Sequence, residues 1–344
     1  MSTTLETAPE GDNVGFVPRA IPGLVHGFRM LGDTGAEELA PDLPFDTTKI
    51  SEQSWCWLHL NLADARAGAW LDTLAEIPVS VRAFLRAHHD HQQLNASPGC
   101  VYGIVTDFTR GLERDLDRTG FLHFALTDRL VITGRRHPLQ AVGRLRDGIG
   151  DGRRFDSPAS LVDVLFDYVA DGIDELVERL VVDLDRIEDL ILAEDITDER
   201  RQLGSLRRTG VRLHRQLAGL RSLMHRFERS GRLDPHQKPG LSVAQFAQRL
   251  DALDHEVVAI QERARLLQEE IATKLAEENN RLLRTISIVT AVFLPPALAF
   301  GFFGMNTHDL PLLETPHGTA WAAAVAVSGA ALAFWWLRRW RGTR

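Results

Sequence analysis

Polar and apolar positions along the chain follow three successive rhythms. Up to about residue 135 short runs alternate: 54–62 (SWCWLHLNL), 100–108 (CVYGIVTDF), 121–126 (FLHFAL) and 129–134 (RLVITG). A two-residue period marks half-buried strands, and Thr127-Asp128 supplies a turn between the last two. Helical spacing separates them at 63–74, 80–89 and 138–149, the last opening on Pro138, a residue suited to a first helical turn. An α/β domain with a mixed sheet and flanking helices is expected over 20–155, after a flexible N-terminus at 1–19.

From Ser157 the rhythm becomes helical throughout. Residues 160–195 keep Leu, Val, Ile and Phe at helical spacing and fill the opposite face with Asp and Glu. Residues 198–229 carry nine arginines, among them Arg200, Arg207, Arg212 and Arg221, so an acidic/basic antiparallel hairpin is predicted over 156–235. After a break at 231–240 (GRLDPHQKPG), a third helix is expected over 241–303, with no Gly or Pro between Ser242 and Leu294. At about 1.5 Å per residue it would measure on the order of 90 Å. Neither of its seams is buried alone, so self-association is the economical way to cover them.

The third rhythm is the absence of charge. No Asp, Glu, Lys or Arg occurs from Thr285 to His308, or again from Thr315 to Leu337. A segment such as 285–303 just spans a hydrocarbon layer of about 30 Å, so transmembrane helices are predicted at 285–303 and 320–337, joined by a loop at 304–319. Arg281 and Arg284 precede the first span, and a basic tail at 338–344 follows the second, whereas the loop has neither Lys nor Arg. The positive-inside rule places both termini in the cytoplasm, with Trp335, Trp336 and Trp340 as interfacial anchors.

Composition narrows the partners. A formal charge of −8 and a pI near 5.9 speak against nucleic acid and suit a cation. Cys56 and Cys100 have no CxxC spacing, and the N-terminus lacks the apolar run of a signal peptide. There is no GxGxxG and no GxxxxGK[ST], so neither a dinucleotide fingerprint nor a P-loop is present; no enzymatic activity and no resident cofactor are expected.

The long helix, Asn279-Asn280, the run FLPPALAFGFFGMN at 293–306, the short loop and the second span before a basic terminus resemble the CorA-type superfamily of divalent-cation transporters, whose hallmark is Gly-Met-Asn. The loop GMNTHDLPLLETPHGTAW, the early WLHLNLADARAGAWL and ERARLLQEEI in the long helix are most similar to the ZntB-like zinc transporters. The resemblance implies a funnel-shaped homopentamer in the inner (plasma) membrane of a bacterium. The first span would line a central pore and the second face lipid. It further implies transport of zinc, with proton coupling open in that branch and a magnesium/cobalt channel as the alternative.

Stepping back from Asn306 by three or four residues gives Gly301, Ala297, Leu294, Thr290, Ser287 and Leu283, a stripe of small, hydroxyl and aliphatic side chains. Asn306 is the candidate metal contact: a ring of carboxamides binds a hydrated ion through its shell instead of stripping it. Gly304 lets backbone approach at the turn, and Met305 packs below. Leu294 and Leu283 would form apolar rings able to gate by dewetting, and Pro295-Pro296 either bends the span or loosens it. At the outer mouth Asp309 and Glu314 concentrate cations, and His308 and His317 are candidate zinc ligands. Glu269, Glu277 and Asn280 are candidate residues of the inner vestibule. The cluster HHDH at 88–91 reads as a solvated helix terminus. A membrane-anchored interaction protein is the competing function class.

Overall fold

The computed structural model describes residues 21–32, 35–40, 50, 54–89, 91–108, 119–193, 198–229, 241–304 and 317–340. Its contacts divide the chain into two units, 1–264 and 265–344.

The first unit is built on a seven-stranded sheet in the order β2-β1-β3-β7-β6-β5-β4. Its strands are β1 (Leu24–Met30), β2 (Ala36–Glu38), β3 (Trp55–Asn61), β4 (Gln93–Ser97), β5 (Cys100–Phe108), β6 (Thr119–Leu126) and β7 (Leu130–Arg135). β3 and β7 run parallel and every other pair antiparallel, which makes the sheet mixed as the alternating runs imply. Helices α1 (Ala65–Leu71) and α2 (Val79–Arg86) cover one face. There Leu71, Leu74, Val81 and Leu85 pack in one cluster with Cys56, Leu58, Leu60 and Ile132. On the other face Phe124 meets Phe166 edge-on at 5.4 Å, under α3 (Gln140–Gly150) and α4 (Pro158–Leu192). With both faces covered, β3 is buried along its length apart from Asn61.

Local sequence explains several boundaries. Ser157 caps α4 in a reciprocal box with Ser160, and Pro158 occupies the first turn, where its missing N–H costs nothing. Pro138 does not play this part in α3, whose N-cap is Leu139. The start of α3 is instead held by Asp107 on β5, whose carboxylate accepts from Ala141 N at 3.0 Å. Helix α2 ends at Arg86, so His88 and His89 lie beyond the helix instead of on its end, and the His89 ring stacks on Phe84 at 4.8 Å.

The long helices follow: α5 (Glu199–Arg229) and α6 (Val243–Phe303), the latter unbroken through Pro295 and Pro296. Opposite charge was expected between α4 and α5. Acidic residues of α4 also pair with α6, where Arg263 binds Asp185 and Glu188 and Arg249 binds Asp167 and Asp171, and with α3, where Arg144 binds Glu175. From α5, Arg221 reaches Asp254 at 2.8 Å, where His214 also bonds the same buried carboxylate at 2.7 Å.

The second unit contains the rest of α6 and α7 (Gly318–Trp340). Its packing inverts that of the first unit. Phe293, Leu298 and Leu332 are 67%, 66% and 65% exposed. Both helices are long and apolar enough to cross a membrane, and none of the apolar window of α6 is buried.

Candidate functional site

The two membrane helices touch along small residues. Ala322 and Ala326 of α7 are buried, and a Cβ placed on Gly329 would stand 3.0 Å from the Pro295 Cβ. On α6, Ile288, Val292, Pro295, Pro296, Ala299 and Phe303 are partly covered. They form one side of the helix. The prolines thus sit in an unbroken helix, on the side where α7 packs, and the contact Pro295–Gly329 is one the sequence reading did not single out. Its signal was present: a glycine in the middle of an apolar span is a common mark of close helix approach.

The opposite side holds the predicted stripe. At 3.6 residues per turn, Leu283, Ser287, Thr290, Leu294, Ala297 and Gly301 fall within a band of roughly 80°, centred roughly 160° from the covered side. All six are exposed. A Cβ on Gly301 would meet nothing within 4 Å, so nothing in its own chain requires a glycine there. The stripe's hydroxyls are oriented by the helix itself. Ser287 Oγ donates to Leu283 O at 2.8 Å, and Thr290 Oγ1 donates to Ile286 O at 2.9 Å. With their protons committed to the backbone, these oxygens offer only lone pairs outward.

Gly304 closes the helix. Its N–H donates to Phe300 O at 2.9 Å, and a Cβ at this position would lie 2.7 Å from the same oxygen. Only glycine fits there without moving backbone. Met305, Asn306, His308, Asp309 and Glu314 lie outside the described residues. His317 is exposed, and its carbonyl accepts from Ala320 N and Trp321 N, so its backbone starts α7.

Further along α6, Glu269, Glu277 and Asn280 are all exposed. Continued at the same pitch, Glu269 and Asn280 stay near the edge of the band, while Glu277 sits roughly a third of a turn from its centre. Glu269 is not a free carboxylate, because Arg265 pairs with it one turn away. Among the described residues no group of three or more His, Cys, Asp or Glu side chains converges as a metal site.

The chain thus joins a mixed-sheet domain to long helices and two apolar spans, one of which carries an exposed stripe of hydroxyl and small side chains. A family model described as CorA-like Mg2+ transporter protein matches residues 52–339. The chain belongs to this family of divalent-cation transporters and is not an enzyme. It is 27% identical over 321 residues to the divalent cation transporter CmaX of Pseudomonas aeruginosa, covering 92% of this chain and 96% of that one. It is 25% identical over 326 residues to the zinc transport protein ZntB of Pectobacterium atrosepticum, covering 92% and 95%. The solved structure of full-length CmaX superimposes with a TM-score of 0.76 at 25% identity, over 92% of this chain and 97% of that one.

Proposed function

We propose that the chain forms a homopentamer that moves zinc through a central pore, with Gly304-Met305-Asn306 at the entrance. The observation that carries this reading is the exposed stripe from Leu283 to Gly301, on the side of α6 that α7 leaves open. Two spans per chain enclose no water path, so several copies must contribute the wall. The open side of α6 then faces the shared axis, α7 faces lipid, and both termini lie in the cytoplasm, at the inner membrane of a bacterium.

An ion arriving at the mouth would meet Asp309 and Glu314, which raise the local cation concentration, then a ring of Asn306 carboxamides that accept from its water shell. Below, the lone pairs of Thr290 and Ser287 accept from the same shell, and Leu294 and Leu283 close the path when it dries. Glu269 and Asn280, with Glu277 farther round, receive the ion on the inner side. Zinc is favoured by the likeness to ZntB proteins and by His308 and His317 near the entrance, since imidazole ligates zinc far better than magnesium.

The test is cation flux into vesicles holding the full chain, with zinc and magnesium run side by side. Zinc flux is expected to exceed magnesium flux and to fall at least about tenfold in Asn306→Ala. Faster magnesium entry replaces the substrate, and flux indifferent to Asn306 in both ions leaves only the membrane-anchored interaction protein.

A further inference from the structure

The central parallel pair of the sheet ends in a place that the transport pathway does not use. After β3 the chain leaves toward α1 and α2 on one face, and after β7 it leaves toward α3 on the other. Where connections from neighbouring parallel strands diverge to opposite faces, a crevice opens at their carboxyl ends, the usual ligand position in open sheets. The register sets Asn61 beside Arg135 at this end and, two residues back, a row of His26, His59 and Thr133 across β1, β3 and β7.

Three features of that end are unexplained by packing. Arg135 is half-buried, and among the described residues its guanidinium has no hydrogen bond or ion pair; burial alone lowers its pKa from the ordinary value. His26 stacks on His59 with ring centroids 6.1 Å apart and is only half covered. His59 is fully buried, and among the described residues its Nε2 has no partner.

Neighbouring side chains hold the other edge of the His59 ring. Trp57 Nε1 donates to Thr133 Oγ1 at 2.9 Å. His59 Nδ1 shares a hydrogen bond with the same hydroxyl at 2.8 Å. Nε2, on the far edge of the ring, is a buried polar atom left without that support. Burial, with Arg135 and His26 adding to it, holds the pKa of this imidazole well below the ordinary 6.5.

We propose that the carboxyl end of the β3–β7 pair is a binding site for a phosphate-class oxyanion, held by the Arg135 fork and by His26. The planar guanidinium matches two oxygens of one phosphate, which a halide cannot supply. The buried His59 ring stacks on His26 at this end of the sheet. The surrounding charges are known: Arg146 and Asp147 of α3, bonded to each other, and Glu38 of β2 also act on His26. Burial first, then Arg146 and Arg135, lower the His26 pKa against the pull of Glu38 and Asp147. A bound anion opposes that lowering, so binding near pH 6.5 takes up protons.

Calorimetry on the full chain in lipid nanodiscs tests this without reference to transport. Inorganic phosphate and ATP are titrated separately against chloride at equal ionic strength, in two buffers of different ionisation heat. Expected are saturable heat with phosphate or ATP and none with chloride, net proton uptake, and at least about tenfold weaker binding in Arg135→Gln. His26→Gln should keep weaker binding and lose the proton uptake, and Arg135→Lys should bind between wild type and Arg135→Gln. ATP binding more tightly than phosphate identifies a nucleotide as the source, and equal binding identifies free phosphate. Equal heats from chloride, or wild-type affinity in an Arg135→Gln chain with unchanged thermal unfolding, would overturn the site.

Discussion

The two units of this chain solve opposite problems with the same kinds of side chain. In the first, Trp57, Phe124 and Leu58 are wholly buried between a two-sided sheet and its helices. In the second, Phe293, Leu298, Phe300 and Leu332 point outward from helices that bury almost nothing. An apolar side chain in the first unit is worth its removal from water, on the order of 25 cal/mol per Å2. In the second it stays exposed on helices apolar enough to cross a membrane, and packing by small residues such as Gly329 takes over. Burial from water is therefore concentrated in the first unit.

Substitutions can break or sharpen that contrast. The largest effect is expected for Phe124→Ala, which removes a ring packed on Phe166 and should cost about 3–5 kcal/mol in chemical denaturation followed by near-ultraviolet circular dichroism. Next is a pH effect. Burial pushes the Asp107 carboxyl from the ordinary 3.8 up to about 6, although it accepts from Phe108 N and Ala141 N. Because the folded value is the higher one, this group's contribution is complete below pH 4 and is lost as pH rises through about 6. That loss amounts to no more than about 3 kcal/mol. Asp107→Asn should flatten the stability profile of the first unit between pH 4 and 7.

In the second unit Gly329→Leu forces a side chain against Pro295 and should cost about 1–3 kcal/mol, with loss of flux, while denaturation of the first unit stays unchanged. The smallest effect is expected for Leu332→Ala on the outer side of α7: less than about 0.5 kcal/mol and unaltered flux. A larger change at Leu332 than at Gly329 would reverse the assignment of the two sides of α7.

The legible parts of the fold were those with a long, consistent period. β3, β5, β6 and β7 and the helices α4 to α7 show it, whereas β1, β2 and β4 do not. β1 carries His26, Gly27 and Arg29 among its apolar residues, β2 is three exposed residues, and β4 has Leu94 as its one large apolar side chain. Strands near the edge of a sheet need less apolar surface and leave less pattern. His59 shows what period alone leaves open: it is buried because α4 packs over the second face of the sheet. The cap that Asp107 provides to α3 joins residues 34 positions apart, beyond any local signal. For the stripe the reverse holds: helical spacing back from Asn306 names Thr290 and Ser287 from sequence alone, while the contact between Pro295 and Gly329 emerges only when both spans are placed.

The central claim is that the open side of α6 faces water between copies of the chain. Thiol blocking tests it directly. Burial pushes the Cys56 thiol up to about 11 and the Cys100 thiol up to about 12, so the wild-type chain is inert to a charged methanethiosulfonate. In vesicles the reagent is expected to stop divalent-cation flux through Thr290→Cys and to leave Leu332→Cys at wild-type flux. Block at Leu332→Cys with free passage through Thr290→Cys would contradict the claim.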